Sequence, residues 1–191
     1  MSSILKVDEI QNTDGKTGLV ITPDGSIDSI KFPEEANSNG RTVTSNTMSS
    51  YEEGEWTGKL NFFVSSTGSL AYSHNTLRYI KIGNLVSFFG SLSWSANNFS
   101  ASSGALCLTG LPFTGAGDNS KRGGANIHYA NTAWTGLTIY QQAFREEISE
   151  TKMTFNFSKT PDGNMSGTTS DYTNISNSGT LFLSGSYFTD E

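Results

Sequence analysis

The chain has one cysteine and two histidines among 191 residues, and only 35% of it is hydrophobic. A single cysteine excludes a disulfide framework and a cysteine-rich zinc site. Cys107 lies in the apolar run ALCLTGL and reads as a buried thiol acting as a small hydrophobe. A nucleophilic thiol needs a histidine partner, and nothing in sequence near His74 or His128 supports that role. The two histidines are far apart and lack a His-x-His spacing, so no metal and no cofactor is expected, except through symmetry copies. No basic cluster exceeds Lys121-Arg122, which argues against a nucleic-acid partner. No long apolar run follows MSSILK, so neither a signal peptide nor membrane insertion is expected.

What the chain has instead is aromatic residues and small polar ones. Twelve Phe, seven Tyr and three Trp offset the shortage of aliphatics, because each ring buries a large area. Many aromatics with few aliphatics favour a β-sandwich or barrel over a helical bundle, and the eight short strands bounded below suggest an antiparallel sandwich or jelly roll. Charge is uneven. Residues 1–56 hold ten acidic and four basic side chains, whereas residues 57–191 hold eight of each. The whole formal net charge of −6 therefore belongs to the N-terminal part.

Residues 1–50 contain one aromatic, Phe32, and small apolar groups: Ile4, Leu5, Val7, Ile10, then Leu19, Val20, Ile21. GLVITPDGSIDSI predicts two short strands around a tight turn. So little apolar surface cannot offset the ordering entropy of one copy. Residues 1–33 are therefore either disordered or a stem that folds by packing against other copies or another protein. The clean β pattern favours the second, and three intertwined copies would supply the core that one lacks. Residues 34–50 are polar and read as a connector, which puts a boundary near Ser50 and a β domain over 51–191. There the predicted strands are 57–64, 77–82, 85–94, 104–110, 125–130, 135–141, 152–158 and 180–187. In 85–94, Val86, Phe88, Gly90, Leu92 and Trp94 alternate with Leu85, Ser87, Phe89, Ser91 and Ser93, and the first set is expected to face a core. Gly83-Asn84 supplies the turn into that strand. QQAFREEISE (141–150) is the one candidate helix.

Paired carboxylates can cleave glycans, and Glu52, Glu53 and Glu55 flank Trp56. Neighbours on a strand alternate sides, however, so the group reads as a charged entrance to the domain. Glu146, Glu147 and Glu150, with Arg145 and Lys152, read as a solvated face rather than a calcium site. Four polar loops carry isolated aromatics: 95–103, 114–124, 130–136 and 160–179. Long polar loops on a rigid β scaffold often carry binding. Phe99, Trp134 and Tyr172 are candidates to stack on sugar rings, beside Asn98 and Asp171 as hydrogen-bonding groups. Exposure is expected for Phe99 and Tyr172, while Trp134 fits either a binding surface or a place in the core or a subunit interface.

Four phrases stand in a telling order: YEEGEWT (51–57), YIKIGNLVSFFG (79–90), LTGLPF (108–113) and LFLSGSYF (181–188). Together they resemble the distal domain of bacteriophage tail-fibre and appendage proteins, over Tyr51 to Glu191. SILKVDEIQNTDGK (3–16) resembles the N-terminal anchoring segments of small phage structural proteins, especially from phages of aquatic bacteria. The resemblance implies a β-rich, homotrimeric, non-enzymatic virion protein. It is expected to attach through its N-terminus, with Ile4, Leu5, Val7, Ile10, Leu19 and Ile21 as anchor or stem residues, to a tail, baseplate or head protein. The distal domain is then a knob for adhesion to a host-surface glycan or protein. A head fibre or baseplate component without a specific receptor is the rival reading. A polysaccharide depolymerase is disfavoured, because such spikes generally need a longer repetitive β-helix.

Overall fold

The computed structural model describes the strand residues 9–11, 17–21, 27–31 and 47–49, and then residues 51–135, 139, 141–158 and 171–191. The chain divides into two compact units, residues 1–52 with 81–83 and residues 53–80 with 84–191. The first unit contains an antiparallel sheet in chain order, β1 (Glu9–Gln11), β2 (Thr17–Ile21), β3 (Ile27–Lys31) and β4 (Thr47–Ser49). β2 and β3 are the two strands expected within GLVITPDGSIDSI. Ile10, Leu19 and Ile21 fall on these strands. Ile4, Leu5 and Val7, most of the 34–50 connector, and residues 160–170 of the long polar loop lie outside the described residues.

The remaining strands are β5 (Tyr51–Thr57), β6 (Lys59–Phe62), β7 (Ser65–Thr67), β8 (Leu70–His74), β9 (Thr76–Ile82), β10 (Leu85–Asn97), β11 (Ala101–Ser103), β12 (Leu106–Thr109), β13 (Gly124–Asn131), β14 (Gln141–Glu146), β15 (Lys152–Ser158) and β16 (Gly179–Phe188). β7 and β11 pair as a small ribbon. The other ten form one sheet in the order β5-β9-β10-β16-β13-β14-β15-β12-β6, with β8 also on β10. The two ends of that order, β5 and β6, are separated in the chain by Gly58 alone, so the sheet curls into a nearly closed barrel. Gly58 is required there. Its N–H donates to the Asn75 carbonyl at 3.0 Å, and a Cβ would stand 2.6 Å from Leu77 Cδ1 and 3.2 Å from the Trp56 ring. The protein is thus all-β and mostly antiparallel.

The alternation read from 85–94 sets the centre of the barrel. Val86, Phe88, Leu92 and Trp94 are buried. β10 runs antiparallel to β16 over ten pairs, from Leu85↔Phe188 to Trp94↔Gly179, which turns Leu181, Leu183 and Tyr187 to the same interior. Trp56 meets Phe88 edge-on at 5.9 Å, and Phe155 stacks near Phe157 at 5.5 Å. Such ring pairs supply much of what an aliphatic core would otherwise provide. Gly83, at φ 55°, takes the left-handed backbone that the turn between β9 and β10 needs.

Residues 141–150 are not a helix. Gln141–Glu146 is a strand held on both sides, by β13 from Gly124↔Arg145 and by β15 from Gln141↔Ser158. Phe144 and Glu146 are buried whereas Arg145 is exposed, a period of two. Ladder pairing with two neighbours outweighs the helix preference of Gln, Ala and Glu. The strand predicted at 135–141 falls partly outside the described residues (136–138 and 140).

Candidate functional site

Three of the four predicted loops converge. Asn97, at the end of β10, organises them: its side-chain amide donates to the carbonyls of Tyr172 (3.1 Å) and Ile175 (2.8 Å), and its N–H donates to Asn177 Oδ1 (3.2 Å). Tyr172 N–H donates to Ser102 Oγ at 3.1 Å. Trp134 bridges to Ile175, Ser176 N–H donates to Ala133 O at 3.0 Å, and the Thr135 and Ser176 hydroxyls are 2.7 Å apart. Segments 97–102, 133–135 and 171–177 therefore form one cross-linked surface. The loop at 114–124 lies apart from this network, its short 3₁₀ turn at Asn119–Lys121 capped by Asp118.

Of the aromatics of this surface one is buried and two are partly so. Phe99 is buried, against the expectation of exposure. Ser100 N–H donates to Thr67 O at 2.9 Å, and the β7–β11 ribbon follows at once. That pairing turns the Phe99 ring inward, edge-on to Phe62 at 5.4 Å. Tyr172 is only half-exposed and packs against the core, again short of the expected exposure. Trp134 stacks one face on Phe155 at 4.7 Å and donates from Nε1 to Gln142 Oε1 at 2.8 Å. What the surface offers to solvent is polar. Asn98 and Asp171 are exposed. Asp171 caps the turn at Tyr172–Asn174 by accepting from Thr173 N–H at 2.8 Å, and that bond holds its carboxyl below the usual range.

A second surface was not anticipated. The outward rows of β10, β16 and β13 carry Phe89, Phe182 and Tyr129, which are 51%, 49% and 48% exposed, with Leu85 and Phe188 (38% and 40%) beside them. The registers explain the grouping: Leu85 stands opposite Phe188, and Ser91 opposite Phe182, which in turn stands opposite Tyr129. A bulge between Ile127 and Tyr129 keeps both Asn126 and Tyr129 on this side. The Tyr129 and Phe182 rings are 5.2 Å apart at a 30° tilt. Hydroxyls intervene, with His128 Nε2 2.6 Å from Ser184 Oγ. At one margin an open groove of about 430 Å³ is lined by Phe89, Phe182, Ser91, His74 and the ion pair of Arg78 Nε with Glu55 Oε1 at 3.2 Å. The sequence carried a signal for this face. Adjacent aromatics at Phe88-Phe89 in an alternating strand must place one ring on each side.

Among the described residues no three His, Cys, Asp or Glu side chains cluster to hold a metal ion. No helix of the described residues is long and apolar enough to cross a membrane. Cys107 is fully buried and burial pushes its thiol up to about 11. The acidic group at 146–150 departs from the solvated face expected of it. Glu146 is buried at 1% exposure because it lies on the inward row of β14, two residues after Phe144. It accepts from Gly123 N–H at 2.6 Å, with the Ala116 backbone also beside the carboxylate. Burial raises its pKa, and the Gly123 bond and the nearby Arg122 oppose that rise. Glu147 pairs with Arg145 at 3.0 Å and accepts from Thr154 Oγ1. Compared with known proteins, the chain matches no family model, no curated sequence and no solved structure.

Proposed function

We propose that this chain is a structural protein of a bacteriophage particle, a short homotrimeric tail fibre that is not an enzyme. In this reading residues 1–33 form an intertwined stem that grips a tail, baseplate or head protein. Residues 51–191 form the distal knob, its barrel flattened into the two facing layers of a sandwich or jelly roll, and touch a glycan or protein of the host surface. It is assembled in the host cytoplasm and works outside the cell on the virion. The observation that carries the adhesive part is the polar surface built from segments 97–102, 133–135 and 171–177. Its amides and hydroxyls are held by side-chain-to-backbone bonds, so little ordering entropy remains to oppose contact with a ligand. Single contacts of this kind are weak. Three copies per fibre raise avidity by roughly 10²–10⁴ where geometry permits.

One observation favours the rival reading of an appendage without a receptor. Phe99 is buried, and Trp134 and Tyr172 pack against the core and are only partly exposed, which leaves the loops little ring surface for stacking. Adsorption separates the two. The full chain should bind host cells or their purified surface polysaccharide, and Asn98→Ala with Asp171→Ala should weaken that binding. A chain that decorates the particle but binds neither is an appendage without a receptor. Release of reducing ends from the polysaccharide would instead mark an enzyme.

A further inference from the structure

We infer that the outward face of β10, β16 and β13 is where copies of this chain meet, each turning Phe89, Phe182, Tyr129, Leu85 and Phe188 toward a shared axis. The inference rests on the oligomeric part of the reading above and assigns it a surface. Area is the first argument. An aromatic side chain offers roughly 150–250 Å², so three half-exposed rings, with Leu85 and Phe188 partly exposed, present about 450 Å² of apolar surface. That lies in the middle of the ~300–600 Å² found as the largest patch of a monomer, the kind of patch that often carries function. Interfaces are only about 57–65% apolar. An apolar content of 450 Å² thus corresponds to roughly 700–800 Å² of contact per copy, close to the ~800 Å² of a standard interface.

Charge is the second argument. Leu85 to Ser93 on β10 and Thr180 to Phe188 on β16 include no Asp, Glu, Lys or Arg. Identical faces can therefore approach without repulsion. The nearest ion pair, Arg78 with Glu55, lies at the margin, where interfaces keep their polar rim. Shape is the third. The five side chains spread over three adjacent strands of one sheet, which is a wider apolar footprint than a single sugar ring covers. Hydroxyls between them can pair across the contact and set its register.

The test uses the full chain. Native mass should be three times 20.6 kDa. Hydroxyl-radical labelling of the assembled chain should mark Phe89, Phe182 and Tyr129 several-fold less than Val64, which is 71% exposed. The double variant Phe89→Asp with Phe182→Asp should fall to a single-copy mass, with an unchanged far-ultraviolet circular dichroism spectrum. If the N-terminal strands still hold the copies together, Tyr129 should become labelled at the rate of an exposed ring. A single-copy mass for the parent chain at micromolar concentration overturns the oligomer and this interface together. A three-copy parent whose Phe89, Phe182 and Tyr129 label as readily as Val64 overturns the interface and leaves the trimer standing. A twofold mass overturns the threefold arrangement. Labelling of the parent decides the matter even if the double variant does not fold.

Discussion

Replacing Glu146 by glutamine tests whether the buried carboxylate is a burden that the fold tolerates for the sake of its acceptor. Its Oε2 holds Gly123 N–H at 2.6 Å, and Oε1 faces the backbone at Gly115 and Ala116. Burial disfavours the charged form, so the folded-state pKa lies above the usual carboxyl value of 4.5. The sign follows from linkage. A group whose pKa is raised on folding contributes stability that is complete below its unfolded pKa. That contribution is lost as pH rises through the folded value. The parent chain should therefore lose stability from about pH 4.5 upward at this position. Glu146→Gln keeps an acceptor for Gly123 and removes the charge. It should match the parent near pH 4 and exceed it at pH 7.5, by on the order of 1 kcal/mol given one hydrogen bond and one desolvated group. Glu146→Ala leaves the half-buried Gly123 N–H without this partner, at a cost of about 1 kcal/mol. Urea midpoints of parent and both variants at the two pH values provide the readout, and subtracting the parent cancels the other titrating groups. A parent-to-Gln difference that does not change with pH would refute the reasoning, since the carboxylate would then be solvated as its neighbours in sequence suggest.

Further outcomes follow from single contacts. Tyr187→Phe removes a hydroxyl that accepts from Phe113 N–H (3.2 Å) and donates to Phe113 O (3.1 Å), and should cost about 1–3 kcal/mol in urea unfolding. Asn97→Ala removes both amide bonds to the 172–175 turn, and should speed amide hydrogen exchange in 171–177 while leaving β10 and β16 protected. If the proposed virion reading holds, deleting residues 1–33 should leave the β signal of the larger unit intact and abolish incorporation into particles. Truncated protein found on purified virions would place the attachment elsewhere.

The strands were legible where one face of a segment is apolar and the other is not. Residues 85–97 and 179–188 show that alternation plainly, and 152–158 could be bounded from its apolar run. In the first two the period of two is a local property of the chain that burial then confirms, whereas 152–158 is buried on both faces. The left-handed turn at Gly83 was legible for the same reason, because only glycine takes that backbone without strain. Partner choice was not legible. Beyond the β9–β10 hairpin, nothing local says that β16 covers the other side of β10, or that β5 and β6 become the two ends of the sheet with only Gly58 between them. Those pairings decided the candidate surfaces. Gln141–Glu146 became a strand because two neighbours offered it ladders, which carried Glu146 inside. Pairing of residues 101–103 with β7 turned Phe99 from a candidate stacking ring into core. Composition alone determined that this chain would build β-structure around aromatic rings. Which rings were buried and which were left facing solvent depended on long-range register, because a strand's two faces are equivalent until a neighbour covers one of them.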